Sequence, residues 1–492
     1  MRKSGILLHI TSLPSPYGIG TLGREAFAFA DFLAAARQKV WQVLPIGPTG
    51  YADSPYQSFS TFAGNPYLID PDLLFEDGLL TREEILAANC EGDVCSIEFG
   101  MLFQKREALL RLACKRGYAR DEAAAEAFVQ ENADWLPDYA LYMAVKEHFE
   151  QLPFTRWPDD DIRLRKPDAL RRYGEALHDT IRFHIYTQYL FFRQWNALRA
   201  YCGERQISLL GDIPIYVSLD SSDVWASPSL FQLDEDCRPT HVAGVPPDYF
   251  SATGQLWGNP LYNWERMKQD GYAWWMRRIE ACAQRFDMLR IDHFRGFADY
   301  WSVPYGEETA VTGEWKEGPG RAFIDTLKNR FPNYPIIAED LGILSDAVKE
   351  LLAYSGYPGM TVLQFAFDSQ KPDAYQPHRF EPNCVCYAGT HDNNTTMGWI
   401  KEGDPEAVGY AVDYFGLNTQ EGLNWGMIRG GMASKAELFV AQMQDYLGLG
   451  ADARMNTPST AQGNWLWRMR PGEADEELAK RIARMTVMYE RA

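Results

Sequence analysis

Seven short apolar runs that end in polar or charged residues constrain the fold of this chain more than any other feature. They lie at residues 6–9, 40–44, 207–212, 288–292, 336–339, 361–365 and 384–390. Runs of this length are typical of buried parallel strands, and stretches of helical length separate several of them. The pattern predicts an α/β fold, a (β/α)8 TIM barrel, with its active site at the carboxyl ends of the strands. An open doubly wound sheet is the structural alternative.

The spacing of the runs is uneven, which predicts two insertions in one catalytic domain spanning residues 1–492. The gap between the second and third runs is much longer than one crossover helix requires. We therefore expect an inserted, mostly helical subdomain over residues 66–205. Residues 218–285 are rich in Pro, Gly, Tyr and Trp, and they predict a second, loop-rich subdomain over the active site.

Composition and charge exclude several classes of partner. The 492 residues carry a net charge of −19, and this negative field repels nucleic acids and anionic membranes. No stretch approaches eighteen consecutive apolar residues, so we expect no membrane span, and the apolar run after Met1 is too short for a secretory signal. The eight cysteines form no C-x-x-C motif, which favours reduced thiols, no metal site and a cytoplasmic protein.

Three acidic residues stand at the ends of three predicted strands. Arg290 and Asp292 share a face of their strand, and a guanidinium beside a carboxylate favours the charged form that a nucleophile requires. Burial of Glu339 at a strand end would raise its pKa, so that it holds a proton for a leaving oxygen. Asp392 is placed to bind two adjacent sugar hydroxyls. The alternatives are a structural ion pair, a helix cap and a turn-forming residue, respectively.

The segments that contain these acids resemble the catalytic regions of the α-amylase clan. They are LRIDHFR at 289–295, AEDLG at 338–342 and GTHDN at 389–393. The resemblance is closest to the amylomaltases, also called disproportionating enzymes. The segments that indicate this family are LHITSLPS at 8–15, DSPYQSFS at 53–60, GDIPIYV at 211–217 and RMNTP at 454–458.

The resemblance implies a role for each acid: Asp292 is the nucleophile, Glu339 the general acid/base and Asp392 the transition-state stabiliser. It also implies a set of substrate-binding residues, namely Tyr56, Gln57, Asp212, Arg290, His293, His391 and Asn464. Further candidates that stack on sugar rings, or else form the core of the second insertion, are Tyr249, Phe250 and Trp257. If Phe250 belongs to a lid that excludes water, Phe250→Ser should raise the ratio of hydrolysis to transfer.

The activity that the resemblance implies is 4-α-glucanotransfer by a retaining double displacement. The expected substrates are maltooligosaccharides and starch- or glycogen-type α-glucans, with glucose as an acceptor and no cofactor. The enzyme alternatives are an α-amylase-like hydrolase and a cyclising transferase. A glycan-binding or regulatory relative with a decayed site is the non-enzyme alternative, and the three acids together with Arg290 argue against it.

Overall fold

The computed structural model describes residues 2–89, 92–247, 251–342, 344–367, 376–460 and 462–492. The strands of the described residues are β1 (Lys3–Leu7), β2 (Val40–Gln42), β3 (Ser208–Pro214), β4 (His241–Val245), β5 (Gln255–Pro260), β6 (Met288–Asp292), β7 (Asp299–Pro304), β8 (Glu314–Glu317), β9 (Ile336–Ala338), β10 (Gly359–Val362), β11 (Cys384–Tyr387) and β12 (Leu438–Gln442).

Helices alternate with these strands along most of the chain. The α-helices of the described residues are α1 (Arg24–Ala35), α2 (Pro71–Glu76), α3 (Arg82–Ala87), α4 (Phe99–Glu131), α5 (Leu136–His148), α6 (Asp160–Arg163), α7 (Pro167–Ala176), α8 (His178–Glu204), α9 (Ser222–Ala226), α10 (Trp264–Gln269), α11 (Ala273–Arg285), α12 (Gly320–Arg330), α13 (Asp346–Ser355), α14 (Thr396–Glu402), α15 (Pro405–Phe415), α16 (Leu423–Ala433), α17 (Met443–Leu447) and α18 (Glu476–Met488).

Eight strands form one parallel sheet in the order β10-β11-β12-β1-β2-β3-β6-β9. The Ala338 N–H in β9 donates to Pro358 O, just before β10, at 2.9 Å, which links the two ends of the sheet. This arrangement confirms the predicted (β/α)8 barrel. Seven of these strands were predicted from the apolar runs and β12 was not, although all five of its residues are buried like those of its neighbours.

The chain between β2 and β3 contains α2 to α8. Helix α8 is the longest of these after α4, and it buries Phe183, Leu190 and Trp195 against the rest of the protein. Asp70 caps α2 by accepting from the Leu73 N–H, and Thr81 forms a capping box at α3. The assignment of residues 66–205 to a separate subdomain stays a prediction.

A second sheet, separate from the barrel sheet, has the strand order β5-β4-β7-β8, with antiparallel pairing throughout. Residues 218–285 contribute α9, β4, β5, α10 and α11, so this segment has more regular structure than its loop-like composition indicates. Its strands β4 and β5 were missed although they pair with each other in antiparallel register, because Gly, Pro and Asn, which are depleted in strands, lie within and beside them. Asn259 of β5 donates through Nδ2 to Val217 O at 2.8 Å, which fixes the second sheet beside the carboxyl end of β3.

Among the described residues, no helix combines the length and apolar character that crossing a membrane requires.

Candidate active site

Arg290 joins two carboxylates at the carboxyl end of β6. Its side chain is only 3% exposed. Nη1 donates to both carboxylate oxygens of Asp212, at 2.8 and 2.6 Å, and Nη2 donates to Asp292 Oδ1 at 2.7 Å. The strand register brings Arg290 and Asp212 together, because Asp212 of β3 lies directly opposite Arg290 of β6. The charge-assisted bonds therefore fix the direction in which the Asp292 carboxylate points.

Glu339 lies beside Asp292 on the neighbouring strand. Ile291 of β6 pairs with Ala338 of β9, so the next residue on each strand, Asp292 and Glu339, falls at the same level of the barrel. Glu339 Oε2 accepts from the backbone N–H of His293 at 2.7 Å, and Oε1 accepts from that of Leu341 at 2.8 Å. His293 has a φ of +54°, a left-handed conformation that is uncommon for non-glycine residues.

The surroundings of Glu339 suit a group that gives and takes a proton. Burial raises its pKa from 4.5 to about 8, and the negative charge of Asp292 adds to the rise. Arg290 and the two backbone N–H donors oppose the change without cancelling it. A carboxyl group with this pKa is mostly protonated at pH 7, as a general acid must be.

Asp392 follows β11 and is held by a loop from the C-terminal part of the chain. Its Oδ1 accepts from Asn456 Nδ2 at 2.6 Å, and its backbone carbonyl accepts from Arg454 Nη2 at 2.5 Å. The side chain of Asp392 nevertheless remains 42% exposed. A carboxylate that is anchored at one oxygen and still open to solvent can accept hydrogen bonds from sugar hydroxyls.

The loop that holds Asp392 also locates Asn464. The Asn464 side chain accepts from the Thr457 N–H at 2.9 Å and donates to Thr460 O at 2.9 Å. Its amide therefore stabilises the loop itself, and a role in binding substrate stays a prediction. Asn456 is the residue of this loop that bonds to the Asp392 carboxylate, and its place in the segment RMNTP was the sequence signal that could have identified it.

Three rings form what we call the aromatic stack: Tyr56, His391 and Trp465. Tyr56 and His391 lie nearly parallel, with ring centroids 5.2 Å apart and an interplanar angle of 18°. The ring of Trp465 is 5.9 Å from each of them. Tyr56 OH donates to Asp212 Oδ2 at 3.0 Å, and His391 Nε2 lies 3.4 Å from Asp392 Oδ1. The aromatic stack thus connects Asp212 with Asp392. Trp465 was not predicted from the sequence.

The second sheet contributes Trp257 to the site. Its ring meets His293 edge to face, with centroids 4.8 Å apart. Burial lowers the pKa of His293 to about 4, so its imidazole is neutral at pH 7. Gln57 donates through Nε2 to Asn259 Oδ1 at 3.3 Å, which connects the 53–60 segment to β5. The two other predicted aromatic residues, Tyr249 and Phe250, lie outside the described residues.

Throughout the ranges that the structure describes, no three His, Cys, Asp or Glu side chains are grouped to hold a metal ion.

Comparison with known proteins agrees with this geometry. A family model described as 4-alpha-glucanotransferase matches residues 8–474. The chain is 45% identical over 486 residues to the 4-alpha-glucanotransferase of Clostridium butyricum, covering 98% of this chain and 100% of that one. It is 46% identical over 497 residues to the Synechocystis enzyme of the same name, covering 100% and 98%.

A solved structure, amylomaltase from Streptococcus agalactiae in complex with acarbose, matches with a TM-score of 0.98 at 41% identity, covering 100% of both chains. The chain therefore belongs to the 4-alpha-glucanotransferase family and is a retaining transferase that acts on α-glucans.

Proposed function

We propose that this chain moves α-1,4-glucan segments to the 4-hydroxyl of an acceptor by a double displacement between Asp292 and Glu339. The observation that carries the proposal is the pairing of these residues. They end adjacent strands at the same level, and the pKa of Glu339 is raised to about 8 while Arg290 orients Asp292. For a retaining reaction the two carboxyl groups should lie about 5 to 5.5 Å apart.

In the first step Glu339 gives its proton to the glycosidic oxygen while Asp292 attacks the anomeric carbon. The carbon–oxygen bond to the leaving glucan breaks, and a carbon–oxygen bond to Asp292 forms. In the second step an acceptor hydroxyl loses its proton to Glu339, and its oxygen displaces Asp292. Each step inverts the anomeric carbon, so the product retains the α configuration.

Asp392 is proposed to stabilise both transition states through the hydroxyls of the sugar under attack. Its hydrogen bonds should strengthen as the ring flattens toward the oxocarbenium-like state. The hydrogen bond from Asn456 supports this role, since it holds one carboxylate oxygen while the side chain stays accessible. The aromatic stack supplies a wall of the same subsite.

The proposed substrates are maltooligosaccharides and starch- or glycogen-type α-glucans, with glucose as one acceptor. The similarity to an amylomaltase whose structure contains acarbose supports a glucan-binding cleft. Trp257 beside His293 offers a ring on which an acceptor sugar can stack, which favours a sugar hydroxyl over water. We also propose a cytoplasmic location, because the cysteines of the described residues are unpaired thiols.

Purified protein given only maltotriose should produce glucose together with a ladder of longer glucans. Transfer redistributes glycosidic bonds and keeps their number constant, so the total of reducing ends should stay level. Chromatography of the products combined with a reducing-end assay measures both quantities. Accumulation of maltose and glucose with steadily rising reducing ends would instead identify a hydrolase, and ring products with a falling total of reducing ends would identify a cyclising enzyme.

A further inference from the structure

Trp465 packs against the other two rings of the aromatic stack, and its backbone conformation is uncommon for a non-glycine residue. Its φ is +66°, and its side chain is only 6% exposed. The ring packs at 5.9 Å from both Tyr56 and His391. A non-glycine residue stays in this left-handed region only where surrounding contacts hold it there.

Those contacts come from the same loop and from one distant part of the chain. The Trp465 N–H donates to Met455 O at 2.7 Å, within the loop that also supplies Asn456. The next residues pair with residues 95–97, which lie just before α4 in the chain between β2 and β3. Ile97 N–H donates to Leu466 O at 3.0 Å. We call this pairing the 95–97 bridge.

The 95–97 bridge has one further backbone hydrogen bond. Arg468 N–H donates to Cys95 O at 2.8 Å, and Ser96 pairs with Trp467 in antiparallel register. Arg468 also donates through Nη2 to Ser15 O at 2.6 Å, which ties the segment to the chain after β1. The backbone on the C-terminal side of Trp465 is therefore fixed along several residues.

We infer that Trp465 is a positioning residue for glucan transfer and that the 95–97 bridge, formed by the helical insertion, holds it in place. The inference rests on the proposed roles of Tyr56 and His391 in the sugar subsite. Trp465 limits the tilt of both rings, and Tyr56 in turn bonds to Asp212 while His391 lies beside Asp392. Through these packed rings, the helical insertion at residues 66–205 affects the geometry of the site without contacting substrate.

Replacing the Trp465 ring tests the first part of this inference. Trp465→Leu should lower kcat on maltotriose about 10- to 100-fold, the cost of a small misplacement of reacting groups, while KM changes much less. Trp465→Phe keeps an aromatic ring and should recover most of the loss. Trp425→Leu removes another buried tryptophan, 4% exposed and outside the site. It should lower the melting temperature by about as much as Trp465→Leu does and leave kcat unchanged.

Removing one bridge bond tests the second part. Ile97→Pro eliminates the N–H that bonds to Leu466 O, whereas Ile97→Val keeps it. The proline variant should reproduce the fall in kcat of Trp465→Leu, and the valine variant should behave as wild type. Normal kcat in a folded Ile97→Pro protein would overturn the role of the bridge.

Two further variants separate this inference from the proposed function. If Tyr56→Leu and His391→Ala are strongly impaired while folded Trp465→Leu has wild-type kcat, the positioning role is wrong and the proposed subsite stands. If Tyr56→Leu and His391→Ala keep full activity, the proposed subsite is wrong, and the inference falls with it. Because the Trp465 variants are independent of the proline substitution, failure of Ile97→Pro to fold leaves the first test intact.

Discussion

Asp292→Asn should reduce transfer from maltotriose by about 10⁴-fold or more, because removal of a covalent nucleophile eliminates the intermediate on which both steps depend. The fold should be preserved. Asn has the size of Asp, and Arg290 keeps both of its bonds to Asp212 in the variant. Transfer rates and circular dichroism measured on the same preparation check the two expectations.

The control for Asp292→Asn is a surface variant, and the decisive measurement is detection of the covalent intermediate. Asp168→Asn changes a surface carboxylate that is 88% exposed and should have wild-type activity. An α-maltosyl fluoride donor needs little acid assistance, since fluoride leaves readily. With this donor, intact-protein mass spectrometry should show a glycosylated enzyme for Glu339→Gln and none for Asp292→Asn. A covalent adduct in the Asp292→Asn protein would assign the nucleophile to another residue.

The sequence predicts the positions of these two acids because strands impose simple geometry. Apolar runs define the barrel strands, side chains alternate along each strand, and parallel strands end on the same side of the barrel. Arg290, Asp292 and Glu339 all follow from these rules. Strand β12 carries the same signal, an apolar run that ends at Gln442, so the same rules are sufficient to predict it.

Trp465 illustrates what local patterns do not contain. It belongs to a loop without repeating structure, and its place depends on the backbone bonds that the residues after it make with residues 95–97 and on its own left-handed φ. Neither feature has a signature in the neighbouring sequence. The strands β4 and β5 were missed for a different reason, since the Gly and Pro residues within and beside them favour loops over strands.

Glu339→Gln should lower transfer from maltotriose by about 10² to 10⁴-fold, the usual contribution of a proton-transferring residue. In the wild type, kcat/KM should fall as pH rises through about 8, because Glu339 then loses the proton that the leaving oxygen needs. Gln does not titrate, so the residual activity of the variant should lack this alkaline limb. Rates measured from pH 5 to pH 9 test both statements, and Glu350→Gln, an exposed change on α13, is the matched control.

The same raised pKa makes a prediction about stability that is independent of catalysis. Glu339 binds its proton with a pKa of about 8 in the folded chain and near 4.5 in the unfolded chain. Its contribution to the free energy of unfolding is therefore complete below pH 4.5 and is lost as pH rises through 8, because only the folded state holds the extra proton in that interval. The melting temperature of Glu339→Gln relative to wild type should increase from pH 5 to pH 9. A difference that stays constant, or shrinks, would show that Glu339 is already ionised at neutral pH in the folded chain and would contradict its raised pKa.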